Sequence, residues 1–294
     1  MTSPHRHVAL RRVLRRLAAV CALAASWLLA DGAAAQQHVS FPSLDGDPGA
    51  PVVLTGYWFA APRVTKPAPA VALFHGCGGV VDRRGILAKR YLDYAALLNR
   101  AGVHALIVDS LSPRYETELC TQRTGSRRVT QANRRLDAIG AVAYLAQRSD
   151  VDAKRIGLMG WSNGGSTVLA ATNLRHRDVA AAQVQPAFAI AFYPGCEAEL
   201  RRGYEPVAPI LVLVGQLDDW TAPGPCRSLA GKGGANVELE TYAGAYHGFD
   251  SDQPVRVRKD VPNGVHPGRG VHVGGNAAAW RASRGRWLKF VAGH

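Results

Sequence analysis

The stretch RIGLMGWSNGGSTVLAA, residues 155–171, places a serine between glycines at the junction of two apolar segments. The apolar run 155–159 predicts a buried strand, and residues 166–171 have the composition of a helix. This pattern predicts that Ser162 is a nucleophile on a sharp strand-to-helix turn, near a helix N-terminus that favours developing negative charge. The alternative interpretation is that Ser162 only caps the helix. The small residues that suit such a turn are Gly160, Gly164 and Gly165.

The rest of the chain alternates apolar β-type runs with helix-forming stretches. The predicted strands are residues 52–60, 70–74, 103–108, 155–159, 188–193, 209–214 and 237–242. The predicted helices are residues 88–100, 130–148, 162–172 and 276–291. Short, continuously apolar strands separated by helices indicate an α/β fold with a mainly parallel central sheet and helices on both faces. Ligands of such sheets bind at the carboxyl ends of the strands.

The first 35 residues differ from the rest of the chain. Five arginines between positions 6 and 16 precede an apolar stretch at 17–30, and three alanines follow at 33–35. This order predicts a cleaved secretory signal peptide. The alternative, an uncleaved membrane anchor, needs about 20 apolar residues, and this stretch is shorter. We therefore expect residues 36–294 to form one periplasmic or secreted domain without a stable membrane anchor.

The chain is strongly basic. The formal net charge of +13 falls to +9 when the five arginines and one aspartate of residues 1–35 are removed. The arginines are scattered, and no motif that reads DNA or RNA accompanies them. We interpret the charge mainly as a determinant of solubility, with a modest bias toward anionic small-molecule ligands, and expect no nucleic-acid partner.

Four cysteines lie outside the predicted signal peptide. An even number of cysteines in an exported chain suggests two disulfides, and four cysteines allow three pairings. We prefer Cys77–Cys120 and Cys196–Cys226, because each pair would join two consecutive strand-end loops. None of the cysteines has metal-binding or redox spacing, and His266 and His272 have no ligand partners at such spacing, so no metal or other cofactor is predicted.

A base and an acid follow Ser162 in chain order. His247 lies directly after the predicted strand 237–242, between glycines that could present its imidazole, and we predict that it takes the serine proton. Asp218 and Asp219 both follow the strand 209–214. We favour Asp218 as the acid that orients the imidazole, with Asp219 as its rival and Asp109 as a weaker one. The order serine, acid, histidine is that of α/β-hydrolases.

The loop after strand 70–74 supplies the second part of the predicted site. An oxyanion hole needs one amide from the residue after the nucleophile and one from the loop that follows an earlier strand. We assign the backbone amides of Cys77 and Asn163 to this role. His75 is interpreted as a structural residue that holds the loop.

At these residues the sequence resembles the dienelactone hydrolase family of the α/β-hydrolase fold. Seven segments occur in family order: LFHGCGG, LIVDSLSPR, RRLDAIGAVAYLA, GLMGWSNGG, AIAFYPGC, LVGQLDDWTAP and YAGAYHGFD. The resemblance implies a hydrolase of esters or lactones that uses a nucleophile, an aspartate and a histidine. Archetypal members have a cysteine nucleophile, whereas this chain has Ser162, so ordinary carboxylic esters become more plausible substrates than dienelactone.

Several further residues are candidates for substrate binding. Arg114 lies beyond a strand end and could hold a substrate carboxylate, or it could simply be solvated. Three aromatic residues could line an apolar acyl pocket or pack in the core or rim: Trp161, Tyr193 and Trp220. The segment 251–275 is predicted to lack regular structure, and it could cover the site or be a surface excursion.

Together these features predict an exported serine hydrolase that cleaves carboxylic esters or lactones through an acyl-enzyme. The alternative within enzymes is a serine peptidase or an acyltransferase with the same three residues. The alternative outside enzymes is a catalytically inactive binding protein on the same scaffold.

Overall fold

The apolar runs of the sequence form one large twisted sheet. A computed structural model describes residues 36–294 apart from positions 48, 63 and 83, so the predicted signal peptide lies outside the described residues. Within that range the sheet order is β1-β2-β4-β3-β5-β6-β7-β8. Strand β2 is antiparallel to its neighbours β1 and β4, and the remaining pairs are parallel. The strands are β1 (Gln37–Asp47), β2 (Ala50–Phe59), β3 (Ala68–Phe74), β4 (His104–Asp109), β5 (Val151–Trp161), β6 (Phe188–Phe192), β7 (Ile210–Gly215) and β8 (Val237–Tyr242).

Helices cover both faces of this sheet. They are α1 (Lys89–Arg100), α2 (Gln131–Ala146), α3 (Asn163–Ala171), α4 (Arg177–Ala180), α5 (Glu197–Arg202), α6 (Pro223–Gly233) and α7 (Ala277–Ala292). Alternate side chains of one strand enter two separate cores: Val71 and Leu73 of β3 pack with α1 and α7, whereas Ala72 and Phe74 pack with α2, α3 and α6. Each central strand is therefore buried on both sides, which explains its continuously apolar sequence. The predicted α/β-hydrolase fold is confirmed.

Some elements depart from the prediction. Strand β1 was not expected: it contains Pro42 and polar residues, and it lies at the sheet edge, where only one side is buried. The short helices α4, α5 and α6 were also missed, because four to eleven residues rich in polar, Gly or Pro positions give too little periodicity. The segment 251–275 is not structureless, since β9 (Arg256–Arg258) and β10 (Val271–Val273) pair antiparallel within it.

Two disulfides join loops at the carboxyl edge of the sheet. Cys77, after β3, is bonded to Cys120, after β4, and Cys196, after β6, is bonded to Cys226 in α6. These are the two pairs that we preferred from the sequence. In the part of the chain that the structure describes, no helix has the length and apolar character needed to cross a bilayer.

Candidate active site

Ser162 lies on a strained turn between β5 and α3. Its φ and ψ angles are 54° and −116°, a region that side-chain-bearing residues rarely adopt. The turn is so tight that a Cβ on Gly164 would lie 2.0 Å from the carbonyl oxygen of Phe74, and one on Gly160 would lie 2.2 Å from that of Gly164. The glycines of the sequence motif are therefore required for close packing. The strain holds the Ser162 side chain at the carboxyl edge of the sheet.

A continuous hydrogen-bonded chain runs from this serine to an acid. The Nε2 atom of His247 lies 2.8 Å from the Ser162 Oγ, and its Nδ1 atom lies 2.8 Å from the Oδ2 of Asp218. His247 and Asp218 are both buried, 4% exposed each, so water competes little for these contacts. The other oxygen of Asp218 accepts hydrogen bonds from the amides of Trp220 and Thr221 at 2.9 and 2.8 Å. The oxygen that faces the imidazole, Oδ2, also accepts a hydrogen bond from the Thr221 hydroxyl at 3.0 Å, so the carboxylate is fixed from both sides.

The two rival acids are engaged elsewhere. Asp219 pairs with His272, whose Nδ1 lies 2.7 Å from the Oδ2 of Asp219 and whose backbone amide donates to the other oxygen at 2.8 Å. Asp109 accepts hydrogen bonds from the amides of Leu111 and Ser112, both at 3.0 Å, and so closes the turn after β4. Of the three candidate acids, the structure brings only Asp218 to His247.

The loop after β3 is held by His75. The imidazole Nδ1 donates to the carbonyl of Gly76 at 2.7 Å, and Nε2 accepts from the amide of Ser110 at 3.3 Å. Burial, reinforced by the charge of Arg134, lowers the pKa of His75 to about 3. The ring is therefore neutral and structural, as the sequence suggested. Cys77, two residues further along, borders the same cleft as Ser162 and Asn163.

The cleft above Ser162 has a volume of about 590 Å³. Trp220 forms part of its wall, and its ring centroid lies 4.7 Å from that of His247. The segment 251–275 also borders the cleft, through Asn263, Gly264 and Val265. Hydrogen bonds from the Asn263 side chain to the carbonyl of Gln122 and from the Val265 amide to the carbonyl of Asp219 hold it there. The segment therefore contributes these three residues to the wall of the cleft.

Trp161 and Tyr193 do not line the cleft. Both are almost fully buried, and both donate hydrogen bonds to the carboxylate of Asp250, from Trp161 Nε1 at 3.0 Å and from Tyr193 Oη at 2.7 Å. Tyr94 donates to the same carboxylate at 2.9 Å, and Arg90 forms an ion pair with it at 3.3 Å. Trp161 precedes Ser162, and the Tyr193 ring lies 4.6 Å from the His247 ring. The two aromatics therefore pack beneath Ser162 and His247 and do not form an acyl pocket.

Arg114 is likewise not available to a substrate. Its guanidinium donates to Asp45 at 2.8 Å and to Asp137 at 2.7 Å, and its side chain is largely buried. The expectation that it holds a substrate carboxylate was wrong, because two acids distant in sequence already neutralise it. Arg127 borders the cleft instead. Its position in an arginine-rich loop gave no signal that distinguished it from its neighbours.

Asp250 was also missed by sequence reasoning. It is the last residue of the YAGAYHGFD segment, and its side chain is fully buried. A signal existed, because an acid three residues after the candidate histidine is unexpected in an apolar context. In the described residues, no group of three or more His, Cys, Asp or Glu side chains could hold a metal ion.

This fold, with a serine, a histidine and an aspartate at the carboxyl edge of its sheet, defines an α/β-hydrolase. The model of the dienelactone hydrolase family matches residues 54–290, and the chain belongs to that family and is a hydrolase.

The chain is similar to a probable 2-oxo-3-(5-oxofuran-2-ylidene)propanoate lactonase of Bradyrhizobium sp., with 30% identity over 209 residues, 65% of this chain and 77% of the relative. Among solved structures it is similar to a putative dienelactone hydrolase of Klebsiella pneumoniae, with 16% identity and a TM-score of 0.63, over 88% of this chain and 99% of the other. It is also similar to a dienelactone hydrolase-like promiscuous phosphotriesterase from metagenomic libraries, with 17% identity and a TM-score of 0.64, over 88% of this chain and 98% of the other.

Proposed function

We propose that this chain is a serine hydrolase that cleaves carboxylic esters or lactones through an acyl-enzyme. The observation that carries the proposal is the hydrogen-bonded chain from Ser162 through His247 to Asp218, at the floor of an open cleft. Ser162 acts as the nucleophile, His247 as the general base and acid, and Asp218 as the group that orients the imidazole. The strained turn at Ser162 supports this assignment, because such strain is retained where function requires it.

In the acylation step, the Ser162 oxygen attacks the substrate carbonyl carbon while His247 Nε2 takes the hydroxyl proton. The carbonyl electron pair moves onto oxygen, and the amides of Cys77 and Asn163 stabilise that oxyanion. When the tetrahedral intermediate collapses, the bond to the leaving oxygen breaks and His247 returns the proton to it. A lactone opens in the same step, and its new hydroxyl stays attached to the acyl group.

Deacylation reverses the roles. Water attacks the acyl carbon as His247 takes one of its protons, and a second oxyanion forms in the same position. Collapse of this intermediate returns the proton to Ser162 and releases the acid. Asp218 accepts the hydrogen bond of His247 Nδ1 throughout and stabilises the imidazolium that forms in each half of the reaction.

We further propose that the preferred substrates carry a negative charge away from the scissile bond. In the cleft, Arg201 is paired with Glu197 and Glu199 is paired with His176. Within residues 36–294 as the structure describes them, the Arg127 side chain has a single hydrogen bond, from Nη2 to the carbonyl of Gln122 at 3.3 Å, and its buried Nε has no partner. Burial lowers the pKa of Arg127 below its ordinary value. A substrate carboxylate in the cleft would form an ion pair with this guanidinium.

The proposal includes export. Residues 1–35 act as a cleaved signal peptide, and residues 36–294 form the mature periplasmic or secreted domain. Two disulfides at the edge of the site support this, because such bonds persist in oxidising compartments. The probable lactonase from Bradyrhizobium sp. supports lactones as one substrate class.

The test uses the purified mature protein and its Ser162→Ala variant. A fluorophosphonate is expected to label the wild type stoichiometrically, with the adduct on the peptide that contains Ser162, and the variant is expected to lose both labelling and hydrolysis. A panel of matched esters, lactones and amides then separates ester or lactone hydrolysis from peptidase activity. Full hydrolysis by folded Ser162→Ala protein would refute the assignment.

The charge preference has its own test. Arg127→Gln is expected to lower kcat/KM for a monoanionic ester by about 10- to 100-fold and to leave a neutral ester of the same size unchanged, since a hydrogen bond to a charged group contributes about 1.5–3 kcal/mol. Arg128→Gln is the matched control, because Arg128 is the exposed neighbour that pairs with Glu116. Equal losses on both esters would contradict a charge-specific role.

A further inference from the structure

Arg134 of helix α2 joins the two segments that carry the proposed oxyanion amides: the loop of Cys77 and the first residue of helix α3, Asn163. Its side chain is fully buried, with no exposed surface. The Nη2 atom donates to the carbonyl of His75 at 2.8 Å, and Nη1 donates to the side-chain oxygen of Asn163. His75 precedes Cys77 by two residues, and Asn163 follows Ser162 directly. One guanidinium therefore fixes both halves of the proposed oxyanion hole.

This buried cation has no counterion among the described residues. No carboxylate oxygen there lies within 4 Å of its guanidinium, and both of its acceptors are neutral amide oxygens. The two acids that act on it electrostatically, Asp137 and Asp109, are bound instead by Arg114 and by the amides of Leu111 and Ser112. Burial lowers the pKa of Arg134 to about 10, so the group is still a cation near neutrality.

An unpaired buried charge is costly, and proteins generally pair such groups or place them where they act. The Nε atom of Arg134 is also buried, with no hydrogen-bond partner in the described part of the chain, which adds to the cost. The fold therefore maintains a positive charge directly behind the two segments where, in the proposed reaction, a negative charge forms.

We propose that Arg134 is a positioning residue whose buried charge has no directly paired anion until the oxyanion of the tetrahedral intermediate forms. It holds the segments of Cys77 and Asn163 at the separation that the oxyanion requires, and its field stabilises that oxyanion in preference to the neutral ester. Interactions that strengthen only in the transition state raise kcat more than they lower KM. This inference rests on the proposed function.

Arg134→Met removes the charge and keeps most of the buried volume. We expect kcat to fall by about 10- to 100-fold with little change in KM, a loss below the 100- to 1,000-fold that removal of a direct oxyanion donor causes. Arg135→Met is the matched control on the same helix: Arg135 pairs with Asp178, away from the cleft, and its loss is expected to leave kcat unchanged.

A trifluoromethyl ketone supplies a readout that a purely structural role would not change. Ser162 adds to the ketone carbon, the carbonyl electron pair becomes an oxyanion, and the proton moves to His247. In Arg134→Met we expect the affinity for this ketone to fall by the same factor as kcat/KM, and the affinity for the neutral alcohol product to remain within about twofold. Equal weakening of both ligands would indicate general disruption and would overturn the inference.

A second variant covers the case in which Arg134→Met does not fold. Asn163→Asp keeps the backbone amide and places a permanent carboxylate against the guanidinium. We expect its melting temperature to hold or rise while kcat falls at least tenfold, because the charge is then compensated before the reaction starts. Wild-type kcat in either variant would overturn the inference while fluorophosphonate labelling of Ser162 still supports the proposed function. Absence of labelling in the wild type would overturn both.

Discussion

Replacement of Asp250 by Asn tests whether one buried carboxylate holds the rear of the site together. Four donors converge on it: the hydroxyls of Tyr94 and Tyr193, the indole N–H of Trp161 and the guanidinium of Arg90. Burial, together with the charge of Asp250, raises the pKa values of Tyr94 and Tyr193, so both hydroxyls stay protonated as donors.

The expected cost follows from the hydrogen-bonding capacity of the amide. Asparagine keeps one acceptor oxygen and replaces the other by an NH2 donor, so in either orientation two of the four donors face a donor. A tyrosine hydroxyl can turn and accept, whereas Trp161 and Arg90 cannot, and one of these two is always left unsatisfied. An orphaned buried donor costs about 1–3 kcal/mol.

The variant also leaves Arg90 without its anion. Breaking a buried ion pair costs about 3–5 kcal/mol, and the figure is smaller here because the Arg90 side chain is 29% exposed and water can partly solvate it. We therefore expect the free energy of unfolding to fall by about 2–4 kcal/mol in total.

Urea unfolding monitored by tryptophan fluorescence measures this change. The midpoint is expected to fall with an unchanged m-value, since the surface exposed on unfolding is the same. Asp252→Asn is the control, because Asp252 is exposed and its only side-chain hydrogen bond among the described residues is with the neighbouring Gln253. A loss below about 0.5 kcal/mol in Asp250→Asn, the range of ordinary surface substitutions, would refute the argument.

Three further predictions follow from the site geometry. Asp218→Asn is expected to lower kcat by about 10³- to 10⁴-fold because the imidazole loses its orienting acceptor, whereas steady-state kinetics of Asp219→Asn are expected to show a much smaller loss. Gly164→Ala is expected to prevent folding, since its Cβ would lie 2.0 Å from the Phe74 carbonyl oxygen, while Gly125→Ala, with open space around it, is expected to give a wild-type melting temperature. His75, whose pKa falls from 6.5 to about 3 on folding, binds a proton more readily in the unfolded chain. The free energy of unfolding is therefore expected to fall by up to about 1.4 kcal/mol per pH unit below pH 6.5. Urea unfolding of His75→Gln at several pH values is expected to show a smaller fall per pH unit.

The sequence determined the strands that are buried on both faces. Their continuous apolar runs, such as 70–74 and 188–193, arise because the side chains on each face of the sheet enter a separate core. Such runs can be recognised in the sequence without tertiary information. Strand β1 could not be predicted from the sequence, because it contains Pro42 and, as an edge strand, needs only one buried face. Chain order also predicted the serine, acid and histidine, since successive strands of a parallel sheet end at the same edge.

Only the tertiary structure decided between neighbours with the same chemistry. Asp218 and Asp219 are adjacent in sequence, yet their side chains diverge, so that one meets His247 and the other meets His272. The same holds for arginine: Arg114 is neutralised by Asp45, which is 69 positions away. In the described part of the chain, by contrast, neither Arg127 beside the cleft nor the buried Arg134 has a carboxylate partner. A charge acquires its role from partners that are distant in the chain. The residue types therefore indicate which chemistry is available, and the packing of the folded chain determines which side chain performs it.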